Sequence, residues 1–207
     1  MEQILQKGAI LLLSGPSGCG KSSLLNEVYK DIDNYYFSIS TTTRDPRVGE
    51  THGVEYFFTT KEQFIDDINN GNFLEWAEVH GNYYGTSLIP IQKALDEKKL
   101  VIFDIDVQGF EQVKEKFSNI TTTVFITTPS LSELEKRLNT RGTDSQDIIQ
   151  KRITNAKKEI KYISQYDYLL INDDFKLAAK ELVSIANIVQ IKSSLFNHKN
   201  IISKWLN

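Results

Sequence analysis

A glycine-rich segment near the start of the chain restricts the possible folds more than any other part of the sequence. Residues 15–22 read Gly-Pro-Ser-Gly-Cys-Gly-Lys-Ser and match the pattern GxxxxGK[S/T] in full. The apolar run Ala9–Ser14 precedes this segment, and residues 21–30 follow it with apolar side chains at helical spacing. This order predicts a buried strand, a turn whose backbone N–H groups can hold phosphate, and a helix.

The residue types of this turn suit a nucleoside triphosphate. Its glycines let successive N–H groups turn toward phosphate oxygens, Lys21 can reach the β- and γ-phosphates, and Ser22 can ligate Mg²⁺ directly. The turn therefore predicts the ligand but not the reaction. The residues expected to contact the nucleotide are Gly15, Pro16, Ser17, Gly18, Cys19, Gly20, Lys21, Ser22 and Ser23.

The composition is that of one globular domain, with 207 residues, 40% of them hydrophobic and 25% charged. A formal net charge of −3 argues against a broad nucleic-acid-binding surface. One Cys and three His cannot supply a disulfide framework or a multi-ligand zinc site. No apolar run approaches the roughly 20 residues that span a bilayer. We therefore expect a cytoplasmic protein with neither a nucleic-acid partner nor a membrane partner.

Strands and helices alternate along most of the chain, which predicts an α/β fold with a parallel-sheet core and helices on both faces. Gly81–Gly85 is predicted to be a turn, and Glu159 is predicted to lie with neighbouring lysines on a solvated helix face. Further strands are expected at Tyr35–Ser40, Val54–Thr59, Leu100–Phe103, Thr122–Ile126 and Tyr168–Ile171. Further helices are expected at Lys61–Asn69, Val107–Phe117, Ser130–Leu138, Asp147–Ser164 and Phe175–Val189.

A second polar segment carries two arginines three residues apart. Arg44 and Arg47 flank a proline, and Tyr56 follows them. Two guanidinium groups at this spacing can hold a second phosphate group between them. The alternative is a solvated surface loop, where arginines are common. The residues alone leave both interpretations open.

This segment and five others resemble the guanylate kinase signature, in the same order and at the same spacing. The other segments are Phe73–Ala77, Gly81–Gly85, Asp104–Gly109, Lys136–Thr143 and Asn172–Asp174. The resemblance covers about residues 8–185 and implies a P-loop nucleoside monophosphate kinase fold. It implies a core formed by 1–34, 91–128 and 156–190, an inserted GMP-binding subdomain at about 35–90, a lid at about 129–155, and an extension at about 191–207.

The resemblance also implies an enzyme that converts ATP and GMP to ADP and GDP, with Mg²⁺ as cofactor. The residues it implies for the GMP phosphate are Arg44, Arg47, Tyr56 and Tyr84, and those for guanine are Ser40, Glu75, Thr86 and Asp106. The residues it implies for phosphoryl transfer are Lys21, Arg44, Arg137, Arg141 and Arg152, with Asn172 near the ATP base. Ser23 stands where relatives commonly have Thr, and Thr86 where many have Ser, but both keep a hydroxyl.

The chemistry expected of these residues is phosphoryl transfer without a general base. The second pKa of a phosphate monoester is about 6, so the acceptor is mostly a dianion at neutral pH and already nucleophilic. Lys21, Mg²⁺ and arginines would cancel the charge on the transferred group. Asp104 and Asp106 are two residues apart, so their side chains share one side of the chain. Asp104 can order Mg²⁺-bound water. The alternative role for this carboxylate is to cap a helix or stabilise a turn.

Guanine specificity is expected to depend on Glu75. Guanine presents N1–H and an exocyclic amine side by side, and one carboxylate can accept both hydrogen bonds. A hydroxyl from Ser40 or Thr86 can donate to O6. Without the resemblance, Glu75 would be an ordinary solvent-facing residue of an alternating strand.

Two other functions stay open at this point. The first is a guanylate-kinase-like binding module without catalysis, and the intact residues 15–22 argue against it. The second is a related kinase for another phosphorylated sugar or nucleotide, and Glu75 with Ser40 argues against that one. We expect a monomer or a homodimer.

Overall fold

Five parallel strands form the main sheet of the protein, whose computed structural model describes residues 7–79, 81–141 and 145–206, apart from the side chains of Val79, Gln108 and Arg141. Each strand pairs with its neighbours in the parallel direction. In spatial order the strands are β2 (Tyr35–Phe37), β7 (Leu100–Asp104), β1 (Ile10–Ser14), β8 (Thr121–Thr127) and β9 (Tyr168–Ile171).

The central strand β1 divides the core into two layers. Ile10 and Leu12 pack into one layer, whereas Leu11 and Leu13 pack into the other. Successive side chains of a strand point to opposite faces, so an uninterrupted apolar run can fill both layers only when helices cover both faces.

Helices cover both faces of this sheet, which confirms the predicted α/β fold class. One layer contains buried side chains of α1 (Lys21–Asp31), α5 (Leu131–Arg141), α6 (Gln146–Glu159) and α7 (Phe175–Ile188). The other contains side chains of α3 (Leu88–Asp96) and α4 (Val107–Phe117). Near the end of the described chain, α8 spans His198–Leu206 and buries none of its side chains fully.

A second, four-stranded sheet is built from the middle of the chain. In spatial order its strands are β4 (Phe57–Phe58), β3 (Thr41–Thr42), β6 (Asn82–Ser87) and β5 (Phe73–Val79). The helix α2 (Lys61–Asn69) covers this sheet through Phe64, whose ring stacks on Phe73 at 4.2 Å and on Tyr83 at 5.4 Å between centroids.

The structure differs from the sequence analysis at three places in this part of the chain. Gly81–Gly85 is not only a turn, because its residues from Asn82 onward belong to β6 and pair with β5 in an antiparallel hairpin. The helix α3 was not predicted, and its Pro90 is tolerated because it lies in the first turn, where backbone N–H groups need no partner within the helix. The strand expected at Val54–Thr59 is limited to Phe57–Phe58.

The long helix predicted for Asp147–Ser164 also ends early. The α-helix stops at Glu159, and residues 160–165 form a 3₁₀ segment. Ile153 packs into one layer of the core, whereas Tyr162 and Ile163 pack into the opposite layer. One straight helix cannot face both layers, so the backbone changes geometry before β9.

The edge strand β2 belongs to the main sheet, although it comes from the stretch assigned to the inserted subdomain. Tyr36 packs against the layer that contains Ile10, and β2 pairs with β7 in parallel register. The domain boundaries as a whole stay a prediction. Within the described residues, no helix combines the length and apolar character needed to cross a membrane.

Candidate functional site

The glycine-rich loop leaves the carboxyl end of β1 and leads into α1, and its backbone fits closely against neighbouring strands. Gly15 has a φ of 144°, and a Cβ there would lie 1.9 Å from the carbonyl oxygen of Ile126. Gly20 has a φ of 100°, and a Cβ there would lie 2.3 Å from Nδ2 of Asn172. Both positions therefore require glycine, for conformation and for space.

A cavity of about 620 Å³, which we call the phosphate-loop cavity, lies above this loop. Lys21 stands at its base, where Nζ donates a hydrogen bond to the Gly15 carbonyl at 2.6 Å and lies 3.7 Å from Oδ1 of Asp104. The described residues that line the cavity are Gly15, Ser17, Gly18, Gly20, Lys21, Ser22, Ser23, Asp104, Ile105, Asp106, Arg137, Leu138 and Glu159.

Two carboxylates of this cavity have perturbed pKa values. Burial raises the pKa of Asp104, and the ammonium group of Lys21 counteracts part of this effect. Burial likewise raises the pKa of Glu159, which also interacts with Lys21 and Asp106. Glu159 lines the cavity and is half-buried, so the solvated face predicted for this helix is confirmed for Lys157 and Lys158 but is wrong for Glu159. Helical spacing could have indicated this partly buried position, because Glu159 lies three residues after the buried Ala156 and therefore on the same face of the helix.

Of the four arginines assigned to phosphoryl transfer, Arg137 lies at this cavity and Arg152 contacts its loop. Arg137 lines it, and its Nε donates to Glu133 at 2.8 Å, one turn earlier in α5. Arg152 of α6 donates from Nη1 to the hydroxyl of Ser17 in the loop. The side chain of Arg141 lies outside the described residues.

Asn172 lies beneath the loop and is 4% exposed. Its Nδ2 donates a hydrogen bond to the carbonyl oxygen of Cys19 at 2.8 Å. The Cys19 side chain is fully buried, and burial raises the pKa of its thiol, so this cysteine is held in its unreactive protonated form. The loop therefore rests on a buried polar contact from a distant part of the chain.

A second cavity of about 420 Å³, the Glu75 cavity, lies between the two sheets. Glu75 and Thr86 are paired across β5 and β6, and the Thr86 hydroxyl donates to Oε1 of Glu75 at 2.5 Å. The described residues that line this cavity are Ser40, Leu74, Glu75, Trp76, Ala77, Thr86, Phe103, Ile105, Asp106, Gly109 and Gln112. Glu75 thus faces a cavity, and it is not an ordinary solvent-facing residue.

The two cavities adjoin, because Ile105 and Asp106 line both of them. Both residues follow β7 at the carboxyl edge of the parallel sheet, where ligands commonly bind in open α/β folds. Asp106 is oriented by the backbone N–H of Gly109, which donates to its Oδ1 at 3.0 Å at the start of α4.

Arg44, Tyr56 and Tyr84 form a cluster of cationic and aromatic side chains beside the four-stranded sheet. Arg47 adjoins it through its backbone contact with Glu50, and we call Arg44, Arg47, Tyr56 and Tyr84 the arginine cluster. The Arg44 guanidinium carbon lies 5.5 Å from the centre of the Tyr56 ring. The rings of Tyr56 and Tyr84 meet edge to face at 6.1 Å. Tyr84 and Thr86 are two residues apart in β6, so they share a face of the sheet.

Glu50 is a site residue that the sequence did not single out. Nη2 of Arg44 lies 2.9 Å from each of its carboxylate oxygens, and the backbone N–H of Arg47 donates to Oε2 at 2.7 Å. These donors lower the pKa of Glu50, with the Arg47 N–H as the largest cause, and Glu50 in turn raises the pKa of Arg44. The spacing of three between Arg47 and Glu50 is a weak signal for this contact.

Comparisons with known proteins agree with this geometry. A family model described as guanylate kinase matches residues 7–188. The guanylate kinase of Wolinella succinogenes is 50% identical over 199 residues, which are 96% of this chain and 93% of that protein. The guanylate kinase of Sulfurimonas denitrificans is 52% identical over 198 residues, 96% of each chain.

A solved structure is similar as well. The crystal structure of guanylate kinase from Anaplasma phagocytophilum superposes with a TM-score of 0.68 at 29% sequence identity. The match covers 93% of this chain and 92% of that one. With the family model across most of the described chain, and with relatives near 50% identity over nearly its full length, this chain belongs to the guanylate kinase family.

Proposed function

We propose that this chain transfers the γ-phosphoryl group of ATP to GMP, giving ADP and GDP. One observation carries the proposal: the Glu75 cavity adjoins the phosphate-loop cavity through the shared residues Ile105 and Asp106. A carboxylate suited to guanine therefore lies beside a loop suited to a nucleoside triphosphate. Two adjoining sites of this kind allow direct transfer once the phosphates of the bound nucleotides approach each other.

Glu75 is proposed to read guanine through N1–H and the exocyclic amine. The Thr86 hydroxyl has a single proton and donates it to Glu75, which orients the carboxylate. Ser40 lines the same cavity and is then the hydroxyl that donates to O6. Asp106, at the boundary of the two cavities, is proposed to contact the base from the opposite side.

The arginine cluster is proposed to bind the phosphate of GMP. The Arg44 guanidinium is held by Glu50 through Nη2, by the carbonyl of Asp45 through Nη1 at 2.6 Å and by a hydrogen bond with Tyr84, so it is already oriented beside the proposed phosphate position. Tyr84 is on the face of β6 that also carries Thr86, so a nucleotide whose base lies at Glu75 would direct its phosphate toward the cluster. Arg47 and Tyr56 complete this proposed phosphate site.

The phosphate-loop cavity is proposed to hold the phosphates of ATP. The inward N–H groups of the loop and the Lys21 ammonium would bind the β- and γ-phosphates. Arg137 and Arg152 reach this cavity and its loop, and the resemblance adds Arg141 to the proposal. These cations would offset the charge that develops on the phosphoryl group during transfer.

Mg²⁺ fits the residues of the cavity. Ser22 and Asp104 both line it and provide the oxygen donors that Mg²⁺ prefers. Among the described residues, no group of three or more His, Cys, Asp or Glu could hold a metal by itself, so water and phosphate oxygens would supply the remaining ligands. When bound, the ion would supply positive charge that neutralises part of the charge of the phosphates. Ser22 is proposed as the direct ligand and Asp104 as a ligand through water.

The alternatives are less well supported. An inactive binding module does not require a loop with Lys21 and Ser22 in place, and a kinase for another substrate does not require a cavity containing Glu75. A cytoplasmic location and the domain boundaries stay part of the proposal.

The experiment that tests the function is a coupled assay of ADP release with GMP, AMP, dTMP and UMP as separate acceptors. We expect GMP to react, and AMP to react with a kcat/KM lower by roughly 10⁴-fold, because AMP would offer the Glu75 carboxylate neither of the two donors that guanine presents. Comparable rates with AMP or UMP would contradict the proposed acceptor. No turnover with any of the four acceptors would contradict the proposed reaction.

A further inference from the structure

The buried side chain of Asn172 contacts the backbone of the glycine-rich loop without lining the phosphate-loop cavity. Its Nδ2 lies 2.8 Å from the carbonyl oxygen of Cys19, across 153 positions of the sequence. Gly20 lines the phosphate-loop cavity, whereas Asn172 is not among the residues that line it. The Cys19–Gly20 peptide therefore lies between a buried amide and the proposed phosphate site.

The direction of this peptide follows from its covalent geometry. The bond between Cys19 and Gly20 is trans, so the carbonyl of Cys19 and the N–H of Gly20 point in opposite directions. When the carbonyl points down to Asn172, the N–H points up toward the cavity. A peptide turned the other way would present a carbonyl oxygen to a phosphate and repel it.

We infer that Asn172 is a positioning residue for phosphate binding: its amide holds the Cys19 carbonyl and thereby directs the Gly20 N–H at the phosphates. The inference rests on the proposed use of this loop for ATP. Asn172 would then influence the reaction through the backbone of the loop and need not touch the adenine base.

Asn172 is itself held firmly enough for this role. Its backbone N–H donates to the carbonyl of Thr127 at 2.7 Å, and Thr127 pairs with Ile171 where β8 and β9 end. On the loop side, a Cβ at position 20 would lie 2.3 Å from Nδ2, so the amide and the loop backbone are in close contact. The sheet therefore supports the loop through a short, buried connection.

The test uses Asn172→Asp in the full chain, because aspartate keeps the shape of asparagine and lacks its N–H donors. The probe is inorganic tripolyphosphate, which carries phosphates but no base, measured by calorimetry and by competition with ATP. We expect the affinity of the variant for tripolyphosphate to fall by on the order of 10- to 100-fold, since the Cys19 carbonyl is left facing a carboxylate. The kcat/KM for ATP should fall by a similar factor. The KM for GMP should stay within about twofold, because the acceptor cavity is separate from this contact.

Asn26→Asp is the matched control, since it adds the same charge at an exposed position of α1. It should change tripolyphosphate affinity by less than about twofold, because exposed charges are screened. If the Asn172→Asp variant does not fold, Asn172→Ala provides the same comparison without the added charge. Thermal unfolding of each variant identifies loss of the folded state, and unfolding of both would contradict a role confined to the loop.

The outcomes separate two explanations. Weaker ATP binding with unchanged tripolyphosphate affinity would overturn the inference, because Asn172 would then act on the base. Reduced tripolyphosphate affinity in an enzyme that does not phosphorylate GMP would support the inference and contradict the proposed acceptor. Absence of tripolyphosphate binding in the unmodified chain would overturn the inference.

Discussion

Nη2 of Arg44 lies 2.9 Å from both carboxylate oxygens of Glu50, and the two side chains are only 15% and 18% exposed. The same carboxylate accepts the backbone N–H of Arg47. Glu50 therefore holds one proposed phosphate ligand by its side chain and the other by its backbone. An arginine oriented in advance loses less conformational freedom when it binds phosphate.

Replacing Glu50 by Gln should weaken GMP binding. The amide cannot form the charged pair with Arg44, so we expect kcat/KM for GMP to fall by on the order of 10-fold while the KM for ATP is unchanged. Guanosine inhibition should not change, because guanosine has no phosphate. Glu78→Gln, at an exposed position of β5 in the same sheet, is the matched control. Equal loss of guanosine and GMP binding would show that the whole sheet had been disturbed.

The contribution of Glu50 to stability should depend on pH. Its folded-state pKa is lowered, mainly by the Arg47 N–H and also by Arg44, so the stabilisation is present above the ordinary carboxyl pKa and is lost as the pH falls through the lowered value. Urea unfolding of the unmodified chain and of Glu50→Gln at pH 7, 5, 4 and 3 measures this. The difference in unfolding midpoint should shrink below about pH 4.3, the ordinary value for Glu. A constant difference down to pH 3 would disagree with the lowered pKa.

The substitution Glu75→Gln tests whether Glu75 recognises the guanine base. The amide keeps the shape, loses the charge and replaces one acceptor by a donor, so kcat/KM for GMP should fall by about 100-fold or more. ATP hydrolysis without GMP should be nearly unchanged. An unaltered ratio of the kcat/KM values for GMP and AMP would exclude Glu75 as the guanine reader. Arg44→Ala should instead weaken both monophosphates equally.

Lys21→Ala tests the phosphate-loop cavity. The ammonium group is expected to contact phosphate oxygens during transfer, so kcat should fall by at least about 100-fold with the fold intact. Lys30→Ala in the same helix is the control, since its side chain is 69% exposed and pairs only with Glu27 among the contacts of the described chain. Near-normal turnover of Lys21→Ala would contradict the assignment of the loop.

Binding of both nucleotides should make the protein more compact. Arg44 and Arg47 do not line the phosphate-loop cavity, so the two phosphate sites must approach each other for in-line transfer. X-ray scattering should give a smaller radius of gyration with GMP and a non-hydrolysable ATP analogue together than with either alone. One radius in all four states would argue against closure.

Much of the proposed site could be predicted from the sequence because its signals are contiguous. The phosphate-binding loop at Gly15–Ser22 was predictable because an apolar strand, a glycine-rich turn and an amphipathic helix follow one another directly in the sequence. The parallel α/β core could also be predicted from the sequence, because uninterrupted apolar runs such as Leu100–Phe103 suit strands that are buried on both faces.

The hairpin of β5 and β6 could be predicted only in part from the sequence. Gly81–Gly85 contains turn residues, and its two tyrosines have no clear period of their own. Pairing with β5 decided the outcome, because hydrogen bonds between strands are contacts that no local pattern contains. For the same reason, the helix predicted for Asp147–Ser164 ended at Glu159, when packing required the chain to change layers.

The residue types of the site and their order along the chain can be read from the amino-acid sequence. Which of these residues meet depends on the folded chain, which places Glu159 at the phosphate-loop cavity, Thr86 against Glu75 and Asn172 against Cys19. Local patterns report periodicity and turn chemistry, which depend on neighbours a few residues away. The contact between Asn172 and Cys19 joins residues 153 positions apart, and such a contact forms only when the sheet brings the ends of β1 and β9 to the same edge.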